Sequence, residues 1–186
     1  MDDQRKYYKR GHYIKKLIDD YCVLDIETTG LSWRQDKIIE IGLLKVRNKQ
    51  IIDRYSQLIN PQQHISSFIT QLTGIDNQMI ADMPILSSIQ DEVLQFLGQD
   101  IIIGHNTAFD LNFIANHFQV DLKNAYIDTV QFSKKVYPAL PHHRLSDMVE
   151  FLHLSTNEHR SLADCISTYE LYEHLKKEIV TQHISI

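Results

Sequence analysis

Two runs rich in Ile, Leu and Val, Ile38 to Val46 and Gln50 to Ile59, are separated only by the polar residues Arg47, Asn48 and Lys49. So short a connection joins neighbouring strands antiparallel, because a parallel return needs a crossover of a dozen or more residues. Asn60-Pro61 ends the second run, since proline offers no N–H to continue a ladder. Upstream, Tyr21 to Glu27 reads as a strand followed by a loop from Thr28 to Asp36. Downstream come a helix from about Ile85 to Leu97, a buried strand at Ile101-Ile102-Ile103 and a helix from about Thr107 to Phe118. A short strand follows around Tyr126-Ile127, then helices near Thr129 to Val136, Leu145 to Leu152 and Ser161 to Ile179. A hairpin followed by alternating helix and strand implies an α/β domain with a mixed five-stranded sheet flanked by helices.

The chain has 186 residues, 43% of them hydrophobic, which is enough apolar material for one substantial core. Its net charge of −5 argues against coating nucleic acid by bulk charge, but allows a local basic patch or a metal-mediated phosphate contact. Cys22 and Cys165 are too few for a disulfide framework and are not spaced as a zinc site. Reduced thiols, no long apolar span and no signal-type segment make a soluble cytoplasmic protein the expectation. Residues 1–20 differ in composition: Arg5, Lys6, Lys9, Arg10, Lys15 and Lys16 alternate with Tyr7, Tyr8 and Tyr13. This extension is read as a solvated helix or frayed terminus, or else as a basic arm touching a nucleic-acid backbone. Residues 21–180 form the domain proper and 181–186 a tail.

Asp25 and Glu27 close the first strand. Side chains in a strand alternate faces, so residues two apart leave the same face with Cα atoms about 6.5 Å apart, and one divalent cation can reach both carboxylates. Further acids stand at helix starts, Asp110 in Gly104-His105-Asn106-Thr107-Ala108-Phe109-Asp110 and Asp164 in His159-Arg160-Ser161-Leu162-Ala163-Asp164. Taken singly, Thr107-x-x-Asp110 and Ser161-x-x-Asp164 also match the capping box, a hydroxyl cap with an acid three residues later.

Together, Asp-x-Glu-Thr-Thr-Gly, His-Asn-x-x-Phe-Asp and His-Arg-x-x-x-Asp, in that order, resemble the proofreading 3′-5′ exonucleases of the DEDDh group. These include the epsilon subunit of bacterial DNA polymerase III and the exonuclease domain of Gram-positive replicative polymerases. The resemblance runs from Tyr21 to about Leu175 and includes Leu72-Thr73-Gly74-Ile75 and Asp128-Thr129; Ser161 stands where the family usually has Ala.

The resemblance implies a ribonuclease-H-like fold and release of nucleoside 5′-monophosphates from DNA 3′ ends in proofreading or repair. It implies two divalent ions, Mg²⁺ or Mn²⁺, held by Asp25, Glu27, Asp110 and Asp164, with His159 as general base. Thr28 and Thr73 border the terminal nucleotide in this picture, and a DNA polymerase catalytic subunit is the implied partner. Oxygen-only ligands suit such ions, and a two-metal centre is suited to phosphodiester cleavage. His142 and His143 compete with His159 but lack its motif context, and His105 is read as a support for its loop. Trp33 either stacks on a base or anchors its loop. Two other readings remain: an exoribonuclease of the same fold, and a non-catalytic polymerase-associated binding module.

Overall fold

The computed structural model describes residues 7–155 and 160–186. Its strands are β1 (Arg10–Tyr13), β2 (Tyr21–Thr28), β3 (Ile38–Arg47), β4 (Gln50–Leu58), β5 (Ile102–Gly104) and β6 (Leu122–Asp128). The helices are α1 (Ser67–Thr73), α2 (Asn77–Ile80), α3 (Leu86–Leu97), α4 (Thr107–His117), α5 (Thr129–Val136), α6 (Leu145–Leu152) and α7 (Ser161–Thr181). They form one mixed sheet in the order β1-β6-β5-β2-β3-β4, with β2, β3 and β4 antiparallel and β5, β6 and β1 parallel. The β3–β4 hairpin turns through Asn48 and Lys49, both at positive φ (50° and 63°). That backbone matches the right-handed twist of the strands it joins.

Among the described residues the sheet has six strands where the sequence predicts five. The sixth is β1, inside the extension read above as a solvated helix or frayed end. It joins β6 through backbone bonds, with Leu122 N–H donating to Lys9 O at 2.8 Å and Ile14 N–H to Tyr126 O at 2.9 Å. Four residues are too few to show a hydrophobic period, so composition alone hid the strand. Its register shifts at Gly11, where φ is 87° and a Cβ would lie 2.2 Å from Asn124 O. Only glycine fits there. The tail also packs back, with Ile184 and Ile186 partly buried against the α7 side of the core.

Alternation along β2 distributes its side chains between two cores. Cys22, Leu24 and Ile26 enter a cluster with Val93 and Leu97 of α3 and Leu111 and Ile114 of α4. Tyr21 and Val23 enter the other, with Phe132 of α5 and Leu171, Tyr172 and Leu175 of α7. Asp25 and Glu27 continue the second set, so both carboxylates belong to the face that α7 covers. Among the described residues, no helix is long and apolar enough to cross a membrane.

Candidate active site

Asp25, Glu27 and Asp164 each offer a carboxylate oxygen, and these oxygens all lie within 4.8 Å of one another. The first two come from β2, the third from the first turn of α7. Asp110, in the first turn of α4, arrives from the opposite face of the sheet. β5 pairs with β2 at Cys22 and Val23 and stops at Gly104. Beyond that point Asp110 Oδ1 takes the place of a strand carbonyl, accepting the Ile26 N–H at 3.2 Å. Its carboxylate is thereby fixed to the residue between Asp25 and Glu27.

Burial and mutual repulsion raise the proton affinity of this group. Asp25 is pushed well above the usual carboxylate range, by burial first and then by Asp110, Asp164, Glu27 and Glu40. Glu27 is raised to about 8, by burial and then by Asp164, Glu40 and Asp110, with Arg160 opposing. Asp110 is raised to about 8 by burial, against the hydrogen bonds it accepts. Like charges this close in a poorly solvated site do not ionise together without a compensating cation. An all-oxygen donor set of this charge fits hard divalent ions such as Mg²⁺ or Mn²⁺.

Glu40 is the support that sequence reasoning missed. It lies opposite Glu27 across the β2–β3 ladder and is 1% exposed. Its Oε1 accepts from Arg160 Nη2 at 2.6 Å and its Oε2 from the Ser161 N–H at 2.9 Å. The second bond satisfies one of the N–H groups that a helix start leaves open. Gly42, opposite Asp25, lets α7 sit directly on β3: a Cβ there would lie 2.5 Å from the Ser161 carbonyl carbon. The Cys165 thiol donates to Gly42 O at 3.2 Å. An acid in the middle of an otherwise apolar strand run was the available signal, since a buried charge needs a partner.

Neither proposed capping box forms. The N-cap of α4 is Asn106, at φ 72°, and that of α7 is Arg160; neither side chain caps its helix. Thr107 Oγ1 instead donates to Ile127 O at 2.7 Å, which ties the start of α4 to β6. Asp128 accepts the Asn106 N–H at 3.0 Å and the Val130 N–H at 3.0 Å, joining the starts of α4 and α5. His105 is wedged between Thr129 Oγ1 at 2.8 Å and His143 O at 2.7 Å. Burial lowers its pKa to about 4, so it is neutral at ordinary pH and supports the loop. His143 Nδ1 meets Ser133 Oγ at 3.1 Å, and His142 is exposed.

The predicted nucleotide contacts fall at turns. Thr28 is buried and its hydroxyl donates to Gly30 O at 2.6 Å. Thr29 Oγ1 accepts from Lys37 N at 2.9 Å and from Gln63 Nε2 at 2.8 Å. Thr73 is 1% exposed; its hydroxyl donates to Ile69 O and accepts the Ile75 N–H, which closes the turn after α1. Of its neighbours, Leu72 is exposed and Ile75 is buried. His159, the predicted general base, lies outside the described residues.

A family model described as Exonuclease (RNase_T) matches residues 22–172. The PolC-type DNA polymerase III of Caldanaerobacter subterraneus subsp. tengcongensis is 38% identical over 166 residues, covering 87% of this chain and 12% of that protein. The chain thus spans about an eighth of the length of this curated relative. Among solved structures, Exonuclease X in complex with 5′ overhanging duplex DNA aligns with a TM-score of 0.69 at 24% identity, covering 88% of this chain and 93% of that one. Escherichia coli Exonuclease I in complex with a dT13 oligonucleotide aligns with a TM-score of 0.76 at 16% identity, covering 89% and 43%. The last two likenesses establish the fold.

Proposed function

Since this chain belongs to the exonuclease family, we propose that it removes nucleoside 5′-monophosphates one at a time from the 3′ end of DNA, in proofreading or repair. The observation that carries the reading is the meeting of Asp25, Glu27 and Asp164 oxygens within 4.8 Å, with Asp110 bonded to the backbone between the first two. Asp25, Glu27 and Asp164 would hold one divalent ion, and Asp25 with Asp110 would support a second. When bound, such ions orient the scissile phosphate, activate a water and stabilise the leaving 3′ oxygen.

The remaining work falls to the chain itself. Two acids come from a rigid strand and two from first helical turns, where the helix field favours the ionised form. Glu40 holds the start of α7 and so sets where Asp164 stands. His159 takes the proton of the attacking water, a task suited to a group that titrates near neutral pH. The Thr28 turn and the turn closed by Thr73 shape the seat of the terminal nucleotide, with Leu72 as its exposed apolar surface. Because the matched relative is a polymerase far longer than this chain, a polymerase catalytic subunit is the partner of choice and the cytoplasm the setting.

Digestion of matched 5′-labelled DNA and RNA oligonucleotides with Mn²⁺, Mg²⁺ or chelator tests the reading. A one-nucleotide ladder on DNA, lost with chelator and in Asp25→Ala, is expected. A ladder on RNA alone makes the enzyme an exoribonuclease. Digestion of neither makes the chain a binding module.

A further inference from the structure

Residues 7–20 lie outside the stretch matched by the family model, and they pass from one face of the sheet to the other through the edge strand β1. Tyr8 packs against the core that holds Leu111 and Ile114 of α4. Ile14, Leu17 and Ile18 pack against the other core, which holds Leu171, Tyr172 and Leu175 of α7.

Both ends of this segment are fastened by hydrogen bonds. On the α4 side, Asn116 Oδ1 accepts the Tyr8 N–H at 3.1 Å, and Asn112 Oδ1 accepts from Arg10 Nη1 at 3.3 Å. The two asparagines stand four apart, hence on one face of the helix, and Asn116 Nδ2 donates to Asn112 O at 2.8 Å. On the α7 side, the Tyr172 hydroxyl oxygen accepts the Ile18 N–H at 3.0 Å. The Lys176 ammonium, on a side chain 8% exposed, donates to Ile18 O at 2.7 Å, Asp19 Oδ1 at 2.6 Å and Glu173 Oε1 at 2.9 Å. It also lies 5.1 Å from the Tyr172 ring centroid. A buried cation held by several acceptors and an aromatic face is costly to pull apart. Between the two ends, the backbone bonds of Lys9 and Ile14 to β6 hold the segment to the sheet.

The two helices so joined carry acids of the proposed centre, Asp110 in the first turn of α4 and Asp164 in the first turn of α7. They bring like charge towards β2 from opposite faces. Repulsion between these acids pushes the helices away from the sheet, and a segment fastened to both resists it.

We propose that residues 7–20 form a strap that couples α4 to α7 around the sheet edge and keeps the acids converged in the metal-free protein. The link to divalent ions rests on the exonuclease reading above; the coupling of the helices does not.

Lys176→Met removes the main fastening on α7, and Asn116→Ala removes one on α4 at a half-buried position. Amide hydrogen exchange in chelator is compared with that of the wild type. Lys176→Met should speed exchange about tenfold in residues 111–117, on the opposite face, while the β3–β4 hairpin keeps wild-type rates. Asn116→Ala should open the strap to trypsin at exposed Lys15 and Lys16. Calorimetric titration should show Mn²⁺ binding weakened about fivefold in both variants. By reciprocity, saturating Mn²⁺ should slow tryptic cutting at Lys15 and Lys16 of the wild type by the same factor.

Faster exchange confined to α7 and the strap overturns the proposal. So does exchange raised equally in the β3–β4 hairpin by both variants, which is general loss of stability. Mn²⁺ affinity unchanged in both variants overturns the link to the acidic centre. A wild type that binds no Mn²⁺ refutes the metal reading instead; the exchange comparison then still decides whether the strap couples the helices.

Discussion

Glu40 and Ser161, far apart in sequence, meet at 2.9 Å, where a strand carboxylate accepts the first N–H of α7. The same carboxylate takes the Arg160 guanidinium through both Nε and Nη2. Glu40 therefore acts on the acidic centre through the position of Asp164. Replacing Glu40 with Ala should lower stability by about 2 kcal/mol, the scale of a lost hydrogen bond to a charged group. It should also raise the Mn²⁺ concentration for half-maximal turnover about tenfold, as loss of a ligand's support does. Glu40→Gln, which keeps an acceptor for Ser161, should recover part of both. Urea unfolding and a metal titration of oligonucleotide turnover check this, and an unchanged metal requirement would refute the positioning role.

Asp25 suffers the repulsion of all its acidic neighbours. Asp25→Asn keeps the shape and removes the ionisable group. Turnover should fall on the order of 10²-fold or more, since the proposed metal centre loses a ligand. In chelator the variant should melt higher than the wild type by about 3 °C, corresponding to roughly 1 kcal/mol. A lower melting point would show that burying the Asp25 carboxyl among its acidic neighbours does not cost the metal-free fold stability.

The direction of the pH effect follows from the same group. Glu27 moves from 4.5 to about 8 and Asp110 from 3.8 to about 8 on folding. Between those limits the metal-free native state holds more protons than the unfolded chain, so unfolding free energy falls as pH rises. The contribution is fully present below the unfolded values and is lost as pH passes through about 8. Thermal melts in chelator should therefore drop from mildly acidic to mildly alkaline pH, and saturating Mg²⁺ should flatten the slope. A metal-free melting point that climbs over this range would contradict the arrangement.

A single methyl group at Gly42 should disturb α7. Its Cβ would meet the Ser161 carbonyl carbon at 2.5 Å and Leu162 N at 2.7 Å, backbone atoms that no side-chain rotation can move aside. Gly42→Ala should cost about 2 kcal/mol, as overpacking of a filled interior does. Turnover should fall with it, because Asp164 travels with the helix. Unchanged turnover in a stable Gly42→Ala protein would show that α7 tolerates the shift.

Much of this was legible in the sequence where a feature is local and periodic. Two carboxylates two residues apart on a strand must share a face, and α5 and α6 begin and end at Thr129, Val136, Leu145 and Leu152 as their patterns predict. Features that depend on a distant partner were not legible. β1 is a strand because β6 offers it an open edge, and Gly11 shows its purpose only beside Asn124. Thr107 has the pattern of a cap yet spends its hydroxyl on Ile127, because β6 runs beneath it. Glu40 is an oddity in its own strand until Arg160 and Ser161 arrive.

The acids of the centre are delivered by β2, by the start of α4 and, last, by the start of α7. A nascent polypeptide that has not yet released α7 from the ribosome lacks the third member of the trio and the salt link that seats it. The proposed centre is therefore incomplete until synthesis is nearly through the domain.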